Sequence, residues 1–170
     1  MTAQEDMVSE RKKHLVIGIT GASGIIYGLR TLEVLQENPS VVTHLVMTKP
    51  AMQTLAYESK LKVREVQTMA DHTYSNDNIG TTIASGSFIT HGMFIVPASA
   101  NTLANIANGI SDTLLTRAAD VNLKERRRVV LLFRETPLHQ GHLENMLKLT
   151  QMGGIVAPPM PAFYQKPETL

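Results

Sequence analysis

Small and hydroxyl-bearing residues fill the segment TGASG, residues 20–24, where one apolar run ends and another begins. Gly21 and Gly24 allow the backbone to turn tightly and to come close to a ligand. A helix that begins after such a turn directs free N–H groups and the positive end of its dipole at the same point. The segment therefore suits a phosphate or the edge of a flavin, while a glycine-rich turn with a serine helix cap explains it equally well.

A second segment of small polar residues, PASANT at 97–102, also stands just before a helical pattern. Its Ser99, Asn101 and Thr102 carry hydrogen-bonding side chains that can hold a phosphate or a planar ring. Helix capping is the alternative interpretation, and it is the weaker one because two such turns are placed to face each other.

Charged residues follow the apolar run at 129–133, where Arg134 and Glu135 stand next to each other. Charges at the end of a buried strand need partners. The arginine can pair with a ligand phosphate, and the glutamate can transfer protons. An ion pair within the fold is the alternative that the spacing leaves open.

Composition excludes or disfavours several kinds of chemistry. The chain has no cysteine, which excludes disulfides and thiolate metal sites, and of its histidines only His139 and His142 stand at a spacing that suits a metal. No carboxylate–histidine set supports that pair, so we expect no metal. The G-x-x-G-x-x-x-G spacing is not the dinucleotide fingerprint, and no G-x-x-x-x-G-K is present, which argues against nucleoside triphosphates. A net charge of +1 and the lack of a membrane-length apolar run give no reason to expect nucleic acid or a membrane as partner, so the cytoplasm is the expected location.

Short apolar runs that alternate with helical patterns must position these polar segments. The runs predict five strands, at 15–19, 41–47, 93–96, 129–133 and 155–157. Helical spacing predicts helices at 25–35, 51–59, 102–108, 110–123 and 139–151, while residues 60–92 stay unassigned. This alternation predicts an α/β fold with a parallel sheet. Because ligands bind at the carboxyl ends of parallel strands, we expect the polar segments to meet along one edge.

Several longer segments resemble the UbiX-type flavin prenyltransferases, formerly called aromatic-acid decarboxylases. They are TGASG, HLVMTK, SGSF, RAADVNLKERRR, RETPLHQGHLENML and PPMPAFY, which follow the family's order between residues 15 and 168. The resemblance implies a flavodoxin-like Rossmann fold, a three-layer sandwich around a parallel sheet, that binds FMN and needs no metal. It implies transfer of a dimethylallyl group from dimethylallyl phosphate to N5 and C6 of reduced FMN, and use of the prenylated flavin by a separate UbiD-type decarboxylase. It also implies a homo-dodecamer with sites at subunit contacts.

The resemblance also implies roles for individual residues. For FMN binding these are Gly21, Ala22, Ser23, Thr48, Ser99, Ala100, Asn101, Thr102 and Arg134. Ser23 matches the serine near flavin N5, with Glu58 as its partner in proton movement, and Glu135 matches the acid/base near the prenyl phosphate. The groups that hold that phosphate match Arg117, Lys124 and Tyr164.

Two departures from the family pattern leave alternatives open. PASANT stands where family members often have P-C-S, and it resembles the FMN-dependent cysteine decarboxylases of the phosphopantothenoylcysteine type, although their substrate clamp is missing. The family also continues through a C-terminal helix that this chain lacks, which favours a non-catalytic flavin-binding subunit as a further alternative. We expect a flexible N-terminal tail at 1–13 and a flavoprotein domain at 14–170 that ends before that helix.

Overall fold

A six-stranded parallel sheet lies at the centre of the computed structural model, which describes residues 12–166. Its strands are β1 (Lys13–Ile19), β2 (Val41–Met47), β3 (His72–Ser75), β4 (Gly92–Ala98), β5 (Arg128–Phe133) and β6 (Ile155–Val156). They pair in the order β3-β2-β1-β4-β5-β6. Residues 1–11 of the expected tail lie outside the described range, and Lys13 already belongs to β1.

Six helices within the described range cover the two faces of the sheet. They are α1 (Ile25–Gln36), α2 (Lys49–Glu58), α3 (Val63–Gln67), α4 (Ala100–Ala107), α5 (Leu114–Lys124) and α6 (Gln140–Gln151), with short 3₁₀ turns at Thr82–Ala84 and Phe163–Gln165. The helices α1, α2 and α3 pack on one face, and α4, α5 and α6 pack on the other. The chain therefore forms a three-layer α/β sandwich.

Each face of the sheet has its own apolar core, because the central strands are apolar on both sides. Ile17 of β1 belongs to a buried cluster with Leu29 of α1 and Leu55 of α2. Its neighbour Val16 belongs to the opposite cluster, which includes Leu115 of α5. The continuous run LVIGI is typical of a parallel strand that helices cover on both faces.

The strand order reverses between β1 and β4, which leaves a crevice at the carboxyl ends of these two strands. Thr20 ties the two ends together, since its hydroxyl donates to Pro97 O at 2.7 Å and accepts from Ser99 N at 2.9 Å. The loop after β2 reaches the same point, because Thr48 N donates to Ile19 O at 3.0 Å. The loops that follow three strands therefore begin from fixed positions.

Two features of the sheet correct the prediction. The predicted five strands omit β3, whose sequence HTYS is too short, too polar and too exposed at the sheet edge to show a strand pattern. Strand β4 continues through Pro97 to Ala98, two residues beyond the predicted strand at 93–96. The register between β4 and β5 shifts at this point, and such irregularities are where a sheet tolerates proline.

Three helix starts differ from the prediction by two residues or more. Helix α2 begins at Lys49 and helix α4 at Ala100, each two residues earlier than expected, because the side chains of Thr48 and Ser99 cap them. Helix α5 begins at Leu114, because Thr113 caps it and the residues from Ile110 onward form a loop instead of a first turn.

Candidate active site

A cavity of about 500 Å³ opens in the crevice at the carboxyl ends of the strands. Its walls come from the loop after β1, the loop after β3 and the first turns of α2, α4 and α5. Five of the residues expected to bind FMN line it: Gly21, Thr48, Ser99, Asn101 and Thr102. The structure therefore brings together the polar segments that come after β1, β2 and β4.

Three helix N-termini meet at this cavity. Thr48 caps α2, with Oγ1 accepting from Ala51 N at 3.1 Å. Ser99 caps α4, with Oγ accepting from Thr102 N at 3.3 Å, and Thr113 caps α5 in the same way. The positive ends of three helix dipoles favour a negatively charged group between them.

Two backbone donors at the start of α4 remain unused. The cap takes the N–H of Thr102, while the N–H groups of Ala100 and Asn101 meet no acceptor within residues 12–166. Such first-turn donors are satisfied by a bound anion when one is present. Helix capping and phosphate binding by PASANT are therefore compatible interpretations.

The TGASG turn has two distinct requirements for glycine. A Cβ on Gly21 would lie 2.4 Å from Pro50 Cβ, so only glycine lets the turn pack against the start of α2. Gly24 has a φ of 99°, in the left-handed region that favours glycine. Gly24 itself is the N-cap of α1 and no side chain at that position caps the helix, so the interpretation of the serine as the cap is wrong. Ala22 is buried beneath the turn, and Ser23 is exposed.

The carboxylate of Glu58, at the end of α2, closes the first turn of α1 instead. Its Oε2 accepts from Gly24 N at 2.8 Å and from Ile25 N at 2.9 Å. Burial raises the pKa of Glu58, but the Ser23 hydroxyl, these two N–H groups and the charge of Arg134 outweigh that effect and hold the pKa below its ordinary value. Residues from two other loops, Ser23 after β1 and Arg134 after β5, therefore influence the carboxylate of Glu58.

Arg134 and Glu135 follow β5 at the same edge. Arg134 is exposed and held by its backbone, whose N–H donates to Ala98 O at 3.1 Å. Glu135 is half-buried, and its Oε1 accepts from Thr136 N at 3.1 Å. No ion pair within residues 12–166 includes either residue, so the alternative of an ion pair within the fold is wrong for the described chain.

The three residues expected to hold the prenyl phosphate do not line this cavity. Arg117 donates to Asp120 Oδ2 at 2.6 Å and to Ala84 O at 3.3 Å. Lys124 pairs with Glu125. Tyr164 is 85% exposed on the last 3₁₀ turn. These three residues therefore lie outside the lining of the cavity, as do Ser23 and Arg134.

The cavity also contains residues that the sequence did not point to: Asn76, Asp77, Asn105, Thr113, Leu115 and Thr116. Asn76 and Asp77 directly follow β3, so an unrecognised strand hid their position at the sheet edge. Lys49 Nζ and Asp77 Oδ2 form an ion pair at 2.9 Å across the mouth of the cavity. Thr113 carries the one available signal, because SDTLLTR places a hydroxyl residue just before an apolar helical pattern.

The histidine pair of α6 has a structural role. His139 is the N-cap, its Nδ1 accepts from Gly141 N at 3.1 Å, and its ring stacks on His142 at 3.6 Å. Among residues 12–166 no group of three or more histidine or acidic side chains is arranged to hold a metal ion. Over the same stretch, no helix has the length and apolar character needed to cross a bilayer.

Comparison with known proteins identifies the family. The chain matches the Flavoprotein family over residues 3–167. It is 53% identical over 158 residues to the flavin prenyltransferase UbiX of Salmonella typhimurium strain LT2, which covers 93% of this chain and 84% of that protein.

Solved structures agree with this result. AnUbiX (PadA1), in complex with FMN and dimethylallyl pyrophosphate, has a TM-score of 0.91 at 44% identity, covering 94% of this chain and 85% of that one. A dodecameric FMN-dependent UbiX-like decarboxylase from Escherichia coli O157:H7 has a TM-score of 0.90 at 49% identity, covering 92% and 86%. The FMN-dependent cysteine decarboxylase SpaF has a TM-score of 0.72 at 20% identity, covering 91% and 88%, which is a likeness of fold alone. The predicted flavodoxin-like α/β fold is thus confirmed, and the chain belongs to the family of UbiX-type flavin prenyltransferases.

Proposed function

We propose that this protein is a flavin prenyltransferase that joins the dimethylallyl group of dimethylallyl phosphate to N5 and C6 of reduced FMN. The observation that carries the proposal is the cavity where three helix N-termini meet, which five of the residues expected to bind FMN line. A family relative solved with FMN and dimethylallyl pyrophosphate supports the same pair of ligands.

The residues of the cavity fit FMN. The unused N–H groups of Ala100 and Asn101, together with the hydroxyls of Thr48 and Thr102, provide donors for a phosphate. The one carboxylate in the lining, Asp77, is neutralised by Lys49 and so does not repel an anion. The flavin phosphate therefore belongs at this end, with Gly21 giving the backbone of the first turn room beside it.

Ser23 and Glu58 handle protons on the flavin side of the site. Bound reduced FMN supplies the nucleophilic N5 and C6 atoms. The carboxylate of Glu58 orients the Ser23 hydroxyl and accepts a proton through it. Arg134 adds a positive charge beside this pair and holds FMN.

Glu135 works at the prenyl phosphate. One of its oxygens accepts from Thr136 N, and the half-buried carboxyl is otherwise unpaired within the described residues, so it is available to exchange a proton. Ring closure at C6 releases a proton, which Glu135 or the departing phosphate accepts. Loss of a phosphate dianion from an allylic carbon is eased by cations and a phenol around its oxygens.

Those cations and that phenol are Arg117, Lys124 and Tyr164, and we propose that they serve the site of a neighbouring copy. None of them lines the cavity of its own chain, and Tyr164 is almost fully exposed. The family relative from Escherichia coli O157:H7 is dodecameric. We therefore propose a homo-dodecamer with composite sites, and the exposed apolar side chains Leu147 and Phe163, at 58% and 68%, provide surface for such contacts.

A cytoplasmic location and delivery of the prenylated flavin to a UbiD-type decarboxylase complete the proposal. Both follow from the family's role in supplying a cofactor to another enzyme. Mixing the purified protein, its reaction products and an apo-decarboxylase of that type tests the delivery, because only a prenylated flavin restores decarboxylation.

The decisive experiment is an anaerobic incubation of the protein with reduced FMN and dimethylallyl phosphate, followed by mass spectrometry of the flavin. We expect a flavin heavier by one C5 unit, and no change without the donor. An unchanged flavin with release of CO₂ from a cysteinyl substrate would instead identify a cysteine decarboxylase. Tight flavin binding with neither reaction would identify a non-catalytic flavin-binding subunit.

A further inference from the structure

Asn76 joins the end of β3 to the first turn of α5. Its side-chain Oδ1 accepts from Leu115 N at 3.0 Å, and its backbone O accepts from Leu114 N at 2.8 Å. The residue is partly buried and lines the cavity. Two backbone donors of the helix are therefore bonded to one asparagine.

This arrangement leaves α5 without a free N–H in its first turn for a ligand. Leu114 and Leu115 donate to Asn76, Thr116 N donates to Thr113 Oγ1, and Arg117 N donates to Thr113 O at 2.8 Å. In α4, by contrast, two first-turn donors stay unused. Any direct hydrogen bond from the α5 side of the cavity must therefore come from a side chain.

The contact with Leu115 also determines the orientation of the Asn76 amide. Because Oδ1 faces the helix N–H, Nδ2 is directed away from α5, and it donates to no group within residues 12–166. The Leu115 N–H that polarises Oδ1 makes Nδ2 a stronger donor, since linked hydrogen bonds reinforce one another. The Nδ2 amino group of Asn76 is therefore available as a donor at the N-terminus of α5, where the backbone N–H groups are already bonded.

The charges around Asn76 suit a phosphate. The adjacent carboxylate of Asp77 is paired with Lys49, and the three helix dipoles point their positive ends at the same cavity. An amide at position 76 adds a donor without adding a negative charge.

We propose that Asn76 Nδ2 donates a hydrogen bond to the phosphate of FMN and that it is one of the residues by which the site prefers FMN to riboflavin. The proposal rests on the proposed function, because it requires FMN in this cavity. Asn76 is then a specificity-determining residue that acts in binding.

The test compares FMN and riboflavin binding in wild-type protein and in Asn76→Asp, using quenching of flavin fluorescence by the apo-protein. The aspartate keeps the acceptor for Leu115 N, but it replaces the proposed donor with a negative charge. We expect the dissociation constant for FMN to rise at least about tenfold, as for loss of a hydrogen bond to a charged group, and that for riboflavin to change little.

Asn78→Asp is the matched control. Asn78 stands in the same loop, its Oδ1 accepts from Gly80 N at 3.1 Å, and it does not line the cavity. The control introduces the same charge two residues away, so we expect FMN binding close to that of the wild type. Thermal melting of both apo-variants checks that α5 remains in place, and Asn76→Ser takes the place of Asn76→Asp if the latter does not fold.

Two outcomes would overturn the inference. One is an equal loss of affinity for FMN and riboflavin in Asn76→Asp, which would show a structural role only. The other is an effect on FMN no larger than that of the control. Failure of the proposed function looks different, because wild-type protein would then leave the mass of reduced FMN unchanged in the prenylation assay, whatever Asn76→Asp does to flavin binding.

Discussion

Two polar regions of the molecule treat their hydrogen-bonding groups in opposite ways. In the cavity region, the N–H groups of Ala100 and Asn101 meet no acceptor within residues 12–166. Across β1, β2 and β3, a partly buried chain of rings is satisfied internally: His44 Nε2 lies 2.9 Å from His14 Nδ1, and His44 Nδ1 lies 2.9 Å from Tyr74 OH. The first region is prepared for a ligand, and the second stabilises the fold.

Burial explains the behaviour of the second region. His44 is 2% exposed, and its ring stacks on His72 at 4.8 Å. Burial, followed by the proximity of His72 and His14, lowers the pKa of His44 to about 4. The ring is therefore neutral at physiological pH and can accept at one nitrogen while donating at the other. The polar groups of the ring cluster thus have hydrogen-bond partners within the fold, whereas the N–H groups of Ala100 and Asn101 at the cavity meet none within residues 12–166.

The largest expected effect comes from Glu135→Gln, which removes the proposed acid/base and keeps the shape of the side chain. We expect prenylation to fall about 10²–10⁴-fold, because that is the usual contribution of a positioned proton-transfer group. The rate is measured as prenylated flavin formed over time. FMN affinity and melting temperature should stay as in the wild type, and equal activity in the variant would remove Glu135 from the mechanism.

The converse effect is expected from His44→Ala, in the region that serves the fold. The change creates a cavity and leaves His14 and Tyr74 without their shared partner, so we expect a loss of about 3–4 kcal/mol in the free energy of unfolding. Urea denaturation measures it. His91→Ala, at an exposed histidine, should change stability by less than about 0.5 kcal/mol. Similar losses in both variants would show that the buried rings are not specially important.

The stability that the His44 cluster provides should depend on pH. The pKa of His44 is lowered in the folded chain from 6.5 to about 4, so the unfolded chain binds the proton first as the pH falls. The contribution of neutral His44 to the free energy of unfolding is fully present above about pH 6.5, and it decreases by about 2–3 kcal/mol as the pH drops toward 4. Urea midpoints between pH 7.5 and 4.5 measure the slope. It should flatten in His44→Gln and persist in His91→Gln; an unchanged slope in the first variant would contradict this origin.

The smallest effect is expected at Ser99, which both stabilises the fold and lines the cavity. Ser99 caps α4 and also lines the cavity, so Ser99→Ala should lower the free energy of unfolding by about 1 kcal/mol and weaken FMN binding. Ser87→Ala, at an exposed serine away from the cavity, should change neither quantity. A change in FMN binding with no change in stability would mean that the cap contributes nothing to the fold.

Local patterns in the sequence were sufficient for most of the fold. The runs LVIGI and VVTHLVM are apolar over most of their length, so they indicated buried parallel strands without further information. Strand β3 could not be recognised, because HTYS has four residues and its stability comes from pairing with β2. That omission also concealed Asn76 and Asp77, which are at the cavity only because β3 ends there.

The candidate site was predictable where its residues come directly after a recognisable strand. Ser99, Asn101 and Thr102 could be placed at the sheet edge from their position alone. The contact between Glu58 and the first turn of α1 joins residues more than thirty positions apart, which no local pattern reveals. The proposed roles of Arg117 and Tyr164 depend on a second copy of the chain, so neither the sequence pattern nor one folded chain displays them.

One oxygen atom at the site, Glu58 Oε2, has two roles. Glu58 Oε2 fastens the opening turn of α1 to the far end of α2, and it belongs to the carboxylate proposed to take up a proton from Ser23. Protonation of Glu58 weakens its hydrogen bonds to Gly24 N and Ile25 N, because a neutral carboxyl is a poorer acceptor than a carboxylate. The charge of Glu58 and the attachment of the TGASG turn to α2 therefore change together. Replacing Glu58 with glutamine would therefore change both the contact between α1 and α2 and the proposed proton transfer. Amide hydrogen exchange in the first turn of α1 would show how much of the lost turnover comes from the weakened contact.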